Sequence, residues 1–422
     1  MKRPSIVRIQ QEAVLLRSTS QALLFIWDRR LVVIGMSCAV LYIGFVFFLN
    51  RVMFFDEQEY LDIAKSLLTT GVYGLTPGVP SAARAPGYIL FIAPIVALGL
   101  GKSGIVFAQV ILWGGSVYLA GTICCGLRGK EAAGLAVLLG VLYPLNSAVA
   151  LTVYPQILTA FLVLLFVLVL LRRGLVFFDA KTAVVVGGIV GLSVLITPIL
   201  LLVLNGFLVL LTVVFRTRFR GTIIAIFVCF CVVAPWMGRN WFVLGTPSIS
   251  TIVGFNLIYA NSENASPELG TAVNIDKYAD AVRGMNEVDT DRAFRDFALA
   301  WIYDNPATAI KLYVGKFIQF FGYEEVIKTP VNGVRIFQRV VAMAYYPLLL
   351  LCVIAALYFL FSGTALKEIE IWLILLYLIA AAVHAIFLQR LRYRVEVDFL
   401  VIIVAANFLS LWMPANATRK VL

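Results

Sequence analysis

The sequence predicts an all-α polytopic membrane protein, a bundle of about ten transmembrane helices whose external first loop carries juxtamembrane helices. Of its 422 residues, 62% are hydrophobic and 14% charged, against about 45–50% and about 25% in ordinary soluble domains. Apolar runs of spanning length recur along the chain, and basic breaks separate them in pairs. One soluble core could not hide so much apolar surface, because cores stop growing near about 250–300 residues. The same arithmetic excludes a disordered chain, a secreted disulfide scaffold and a cytosolic nucleic-acid binder.

The first run, Leu31 to Leu49, follows Lys2, Arg3, Arg8, Arg17, Arg29 and Arg30. By the positive-inside rule this places segment 1–30 in the cytoplasm. No small-residue cleavage site follows the run, so it reads as a retained helix. Further spans are expected near 103–127, 131–151, 156–171, 182–197, 199–215, 221–237, 336–361, 369–388 and 395–413, since about 20 residues cross the hydrocarbon core. Pairs of runs separate Arg128/Lys130, Arg172/Arg173/Lys181 and Arg216/Arg218/Arg220, which puts all three breaks on the cytoplasmic side. The loop 51–102 then begins and ends outside, and Tyr88–Leu100 is expected to be juxtamembrane or re-entrant rather than a span. Of 23 acidic residues, 15 fall in that loop and in the polar stretch between Arg239 and Arg335, both external in this topology. Within the stretch, Asp289–Tyr303 has helical apolar spacing, and Lys311–Tyr323 reads as an interfacial helix. The organisation is therefore segment 1–30, a transmembrane module over 31–237, an external region over 238–335 and C-terminal helices over 336–422. The six cysteines lie in apolar runs without zinc-ligand spacing and read as small buried hydrophobes.

After Arg51 an amphipathic helix is expected from Phe54 to Leu68, ending at Gly71, with Tyr60, Ile63, Ala64, Leu67 and Leu68 on one face. Asp56 with Glu59 three residues on is a capping-box pattern, the plain explanation of these acids. The alternative is that a carboxylate just beyond a span, held against a dry cavity, serves as a general base or a cation ligand. Ala83-Arg84-Ala85-Pro86-Gly87-Tyr88 sets a basic residue before a rigid turn. Arg84 is either an interfacial anchor or a phosphate ligand, for which its planar fork is suited. Arg390, Arg392 and Arg394 form a second cationic group at an external helix start; they either pair with Glu396 or Asp398 or bind lipid phosphate. His384, the only histidine, reads as a packing residue. Asn264-Ala265-Ser266 and Asn416-Ala417-Thr418 match the N-glycosylation pattern.

The order of an acidic pair with Tyr60, then Gly71-Val72-Tyr73-Gly74, then Arg84-Ala85-Pro86-Gly87-Tyr88 resembles the GT-C glycosyltransferases, above all the protein mannosyltransferases and lipid A aminoarabinose transferases. Tyr143-Pro144, Thr152-Val153-Tyr154-Pro155-Gln156, Thr197-Pro198, Pro235-Trp236-Met237-Gly238-Arg239-Asn240-Trp241 with Gly245-Thr246-Pro247, and Arg392-Tyr393-Arg394 extend the likeness over nearly the whole chain. The resemblance implies a GT-C-like bundle in a bacterial inner membrane and an inverting transfer of sugar from a polyprenyl-phosphate donor to an external glycan, lipid or protein acceptor. It assigns Asp56 as the catalytic base with Glu57 as its neighbour, and Arg84 as the donor-phosphate ligand. Tyr88, Arg239, Arg392 and Arg394 join it as substrate-binding candidates. An Asp bordering apolar surface is expected to gain basicity by desolvation.

The chain departs from that pattern twice: Ala82 and Ala83 stand where aminoarabinose transferases carry an acid, and Gln156 where many relatives do. The first departure leaves a divalent cation open. No Walker-type run or Gly-x-Gly-x-x-Gly fingerprint points to a nucleotide. The rival readings are a transporter or flippase of a lipid-linked substrate, in which paired broken helices are common, and a non-catalytic envelope scaffold.

Overall fold

A computed structural model describes residues 20–47, 53–173, 178–216, 219–326, 334–364 and 368–413. The basic residues Lys2, Arg3, Arg8 and Arg17, the loop start Arg51, Arg218 and the Asn416 motif lie outside them. Among the described residues there is no strand. α1 (Ser20–Asp28) meets α2 (Arg30–Phe47) at a sharp bend. α3 (Phe55–Thr70) and α4 (Pro86–Ala97) occupy the first loop. There follow α5 (Gly101–Arg128), α6 (Lys130–Leu142), α7 (Pro144–Ala150), α8 (Gln156–Arg173), α9 (Ala180–Ile196), α10 (Leu200–Val214) and α11 (Phe219–Leu244). The long polar segment folds into α12 (Val253–Ala260), α13 (Asp276–Ala281), α14 (Glu287–Asp304) and α15 (Pro306–Phe320). α16 (Val334–Phe361), α17 (Ile369–His384) and α18 (Val395–Ser410) complete the bundle.

Helices form in each of the ten expected runs, but with unequal reach. α5, α8, α11 and α16 are long and apolar enough to cross a membrane, and the bent pairs α1–α2 and α6–α7 raise the number to six. α9, α10 and α17 have 17, 15 and 16 residues, about 23–26 Å at 1.5 Å per residue, short of a ~30 Å core. The 59° bend between α6 and α7 falls where Pro144 occupies the first position of α7, since proline cannot continue the ladder behind it. Met36, Val40, Phe227, Leu350 and Phe361 are exposed, an apolar exterior that suits lipid and not water.

Contacts at the helix ends confirm the predicted pairing of breaks. Arg128 bridges Glu368 at 2.6 Å and Glu370 at 2.9 Å, and Lys130 meets Asp28 at 3.1 Å. Trp372, one turn into α17, touches Phe215 at 5.4 Å between ring centres. A Cβ on Gly221 would lie 2.4 Å from the Phe178 carbonyl oxygen. The connections near 128, 178, 216 and 368 therefore share one end of the bundle. α4 does not cross to that end: it starts beside Arg84, and Lys102 at the following helix start lies 5.7 Å from the Phe45 ring, at the far end of α2 from Arg30.

α18 is the centre of the bundle, packed on α5, α6, α8, α16 and α17, and every residue from Val395 to Phe408 is buried. A helix buried all round must hide its polar groups too, here Glu396, Asp398 and Asn407. α9 and α11 approach through Gly187 and Gly191, where a Cβ would come within 2.4 Å of the Ala225 carbonyl and 2.7 Å of Val232, a small-xxx-small contact. α14 has the expected apolar face, with Phe294 and Ala298 buried. α15 begins and ends slightly before the expected interfacial helix; it exposes Ile310, Val314 and Ile318 while burying Lys316.

Candidate active site

α3 ends as its sequence requires: Gly71 closes it at φ 72°, a left-handed turn that favours glycine. Its start differs from the expected capping box. Glu57, fully buried, accepts from the Phe54 N–H at 2.8 Å and from the Val153 N–H at 2.7 Å. This carboxylate ties the helix start to the α7–α8 connection and lines neither cavity described below. Relieved of capping, Asp56 and Glu59 face the arginines.

Arg84 Nη2 donates to Asp56 Oδ1 at 2.8 Å, and its Nε to Glu59 Oε2 at 2.9 Å with a second bond from Nη2. Arg392 donates to the other oxygen of Asp56. The Asp56 carboxylate is thus held between two guanidiniums, one from the first loop and one from the 3₁₀ turn Leu391–Arg394 before α18. Aromatic rings lie beside both cations: Tyr60 is 5.3 Å from Arg84, and Tyr154 is 4.0 Å from Arg392. Burial works against the charge on Asp56, but Arg392 and then Arg84 outweigh it and hold the carboxyl well below the usual range. This corrects the expectation of a desolvated, more basic Asp: in this state the group is a firmly ionised, weak base.

The loop that carries Arg84 is pinned on every side. Tyr73 donates to the Arg84 and Ala85 carbonyls at 2.9 and 3.2 Å. The Ala82 N–H donates to Glu287 at 2.8 Å, and Thr251 bonds the same carboxylate oxygen. Arg239 donates to the Ser81 carbonyl at 2.9 Å and to the Tyr73 carbonyl at 3.1 Å. Arg239 therefore supports the loop and lines the apolar groove described below, not the two cavities beside Asp56.

Two cavities share Arg84 and Arg392 as wall. The first, about 490 Å³, is lined by Asp56, Glu59, Tyr154, Asn256, Glu287 and Asp291 among others. The second, about 410 Å³, reaches inward past Gln156, Thr197, His384 and Glu396. Beside them an apolar groove of about 640 Å³ runs past Tyr73, Pro86, Leu90, Leu195 and Trp236.

Of the predicted residues, Asp56, Arg84 and Arg392 come together, and Glu57 stands one residue behind them. Tyr88 is fully buried, edge-on to Tyr60 at 5.0 Å, and supports the site from beneath. Arg394 is a correction: it is buried, pairs with Asp398 at 3.3 Å, donates to the Gly322 carbonyl at 2.6 Å and lies 3.7 Å from the Tyr345 ring. The helical period that aims Arg392 at Asp56 turns Arg394 into the bundle. Arg390 pairs with Glu325. His384 stacks on Tyr393 at 5.6 Å. Sequence reasoning missed Glu59 as a partner of Arg84, and Glu287, whose only signal was its place in the acid-rich segment. Among the described residues, no group of three or more His, Cys, Asp or Glu is placed to hold a metal ion.

No family model matches the chain, and no curated protein matches it. Among solved structures it is similar to ArnT from Cupriavidus metallidurans in the apo state, at 15% identity and a TM-score of 0.45, over 91% of this chain and 77% of that one. The crystal structure of the same protein bound to undecaprenyl phosphate gives 15% identity and a TM-score of 0.45 over 90% and 77%.

Proposed function

We propose that this chain is an inverting glycosyltransferase that moves a sugar from a polyprenyl-phosphate donor to a glycan, lipid or protein acceptor on the outer face of the membrane. The observation that carries it is Asp56 bracketed by Arg84 and Arg392 where two cavities meet beside apolar surface. Two convergent guanidiniums suit a phosphate, whose oxygens accept paired charge-assisted bonds. The acceptor hydroxyl approaches Asp56 from the polar cavity. Its oxygen bonds to the anomeric carbon, its proton passes to Asp56, and the carbon–oxygen bond to phosphate breaks, the electron pair leaving on the lipid phosphate. Arg84 and Arg392 stabilise that departing charge. When the donor phosphate takes up the guanidiniums, Asp56 loses neutralising contacts and becomes a better base, so donor binding itself prepares the proton transfer. The apolar groove past Leu90 and Trp236 offers a lateral path for the lipid.

The test is turnover in reconstituted vesicles. Asp56→Asn is expected to cut transfer by about 100- to 10,000-fold, the range for loss of a general base, with folding and lipid-phosphate binding kept. Arg84→Ala is expected to weaken binding of the lipid phosphate. Turnover retained in Asp56→Asn removes the catalytic assignment, and transbilayer movement of an intact glycolipid without sugar transfer favours a flippase.

A further inference from the structure

Glu396 is the acid that the neighbouring arginines leave alone. Arg390 pairs with Glu325, Arg392 with Asp56 and Arg394 with Asp398. Glu396 is 2% exposed, and neither of its carboxylate oxygens has a hydrogen-bond partner. The Thr197 hydroxyl, 3.0 Å from that of Thr159, stands beside this carboxyl as a donor. His384 Nε2 stands 3.9 Å away, beyond hydrogen-bond reach. Its place in the first turn of α18 favours a negative charge, yet it caps no backbone N–H.

Gln156 shares the wall of the same cavity of about 410 Å³. It is 4% exposed, and its Oε1 is also without a partner. Three buried oxygens thus border one cavity with the Thr197 hydroxyl as their one adjacent protein donor. An unanswered buried acceptor costs about 1–3 kcal/mol, a cost that a donor on a ligand in the cavity would remove. Arg392 Nε, also buried and without a partner, lines the same cavity, so its wall presents unmet acceptors beside an unmet donor, and a hydroxyl-rich ring can both donate and accept. Arg84 and Arg392 line the same cavity, so a phosphate on the guanidiniums leaves its attached group next to these oxygens. The polar cavity on the other side, which holds Asp56, remains for the acceptor.

We infer that the inner cavity is the sugar-recognition subsite, where Glu396 and Gln156 accept hydrogen bonds from the donor's hydroxyl-rich ring while Arg84 and Arg392 hold its phosphate. The inference rests on the transferase reading and adds to it the groups that recognise the sugar. Small rotations of the two side chains into the cavity they line complete the contacts. The apolar remainder of the wall, including Ile196, Pro198 and Phe387, fits the carbon faces of a ring.

Thermal midpoints of the detergent-solubilised protein and turnover in vesicles separate the two ideas. The probes are undecaprenyl phosphate without sugar and undecaprenyl phosphates bearing a pentose or hexose, with and without an amino group. Glu396→Leu is expected to hold or raise the midpoint of the unliganded protein and to keep the upward shift caused by the sugar-free lipid. It is expected to lower kcat/KM at least 100-fold for the sugar-bearing lipid that the wild type prefers. Gln156→Leu serves as the second variant, with a loss of at least tenfold. The inference is overturned if both variants keep kcat/KM within threefold, if the sugar-free lipid loses its shift along with the sugar-bearing one, or if the wild type responds equally to both. Arg84→Ala tests the underlying reading alone: a sugar-free shift unchanged by that variant sinks the phosphate site whatever Glu396 does.

Discussion

Arg392 donates a hydrogen bond to Asp56 across 336 residues of sequence, with its guanidinium 4.0 Å from the centre of the Tyr154 ring. The last helix thereby closes on the first loop, and the site exists only when both are in place. Because Asp56 also holds Arg84, one carboxylate bridges the two guanidiniums through its two oxygens.

This arrangement makes a statement about pH. Asp56 has its carboxyl pulled below the usual range by Arg392 and Arg84 against the effect of burial, so its ion pairs contribute stability above the ordinary carboxylate range and lose it only as pH falls through the lowered value. For the free enzyme the acid limb of kcat/KM is expected below about pH 4, the unperturbed value for Asp. With donor bound, the phosphate occupies the guanidiniums and the limb of kcat is expected at higher pH. Arg392→Gln should raise the kcat/KM limb, because it removes the larger of the two charges that lower it, and weaken donor binding. Identical limbs in kcat and kcat/KM would contradict the exchange of partners.

Glu57 has a different part from its neighbour. Glu57→Ala leaves the Phe54 and Val153 N–H groups without this acceptor, and bonds to a charged group are worth about 1.5–3 kcal/mol each. A drop in thermal midpoint is expected, with donor KM changed little in the folded fraction. Glu57→Gln keeps one acceptor oxygen and should fall between. A Glu57→Gln enzyme with normal stability but no turnover would instead make Glu57 a reacting group.

Arg394 and Asp398 are both 1% exposed as side chains, and Asp398 also accepts from Tyr143 at 2.7 Å and Tyr377 at 2.9 Å. Arg394→Ala alone strands a buried carboxylate and is expected to destabilise by about 3–5 kcal/mol. The double variant Arg394→Met with Asp398→Leu should recover most of that loss. Donor affinity, measured on the folded protein, is expected to be unaffected, as a cation outside the substrate cavities requires.

Lys316 donates to the Ala260 carbonyl and to Asn261 Oδ1, each at 3.1 Å. Burial pulls its amine down to about 8. The unfolded chain then binds the proton more tightly, so stability should rise with pH between about 8 and the ordinary lysine value near 10.4. The slope is at most one proton, about 1.4 kcal/mol per pH unit. Lys316→Met is expected to remove that slope, measured as the difference between the two denaturation midpoints across the interval. A difference independent of pH would show that Lys316 is charged in both states.

Some of the site was legible early because the signals were local. Asp56, Arg84 and Pro86 lie within about thirty residues, and the turn into α4 follows from Pro86 standing at its first position. The helix over Asp289–Tyr303 was visible in its apolar spacing and appears as α14. The capping box was the wrong reading of Asp56 and Glu59, since Glu57 takes the helix-start N–H and only the fold shows which acid is nearest. Arg392 and Arg394 look equivalent on paper. Two residues apart at the entry to a helix, they point in different directions, and what each meets depends on which helices surround α18.

The sequence by itself determined the membrane class, the alternation of helix ends and the candidate acid and base of the first loop, because hydrophobic length, basic breaks and proline act locally. Tertiary structure alone decided that Arg392 and not Arg394 faces Asp56, and that Glu396 is buried against the inner cavity. The physical reason is range: helix formation and sidedness depend on near neighbours along the chain, whereas a guanidinium finds its carboxylate only after the helices between them have packed.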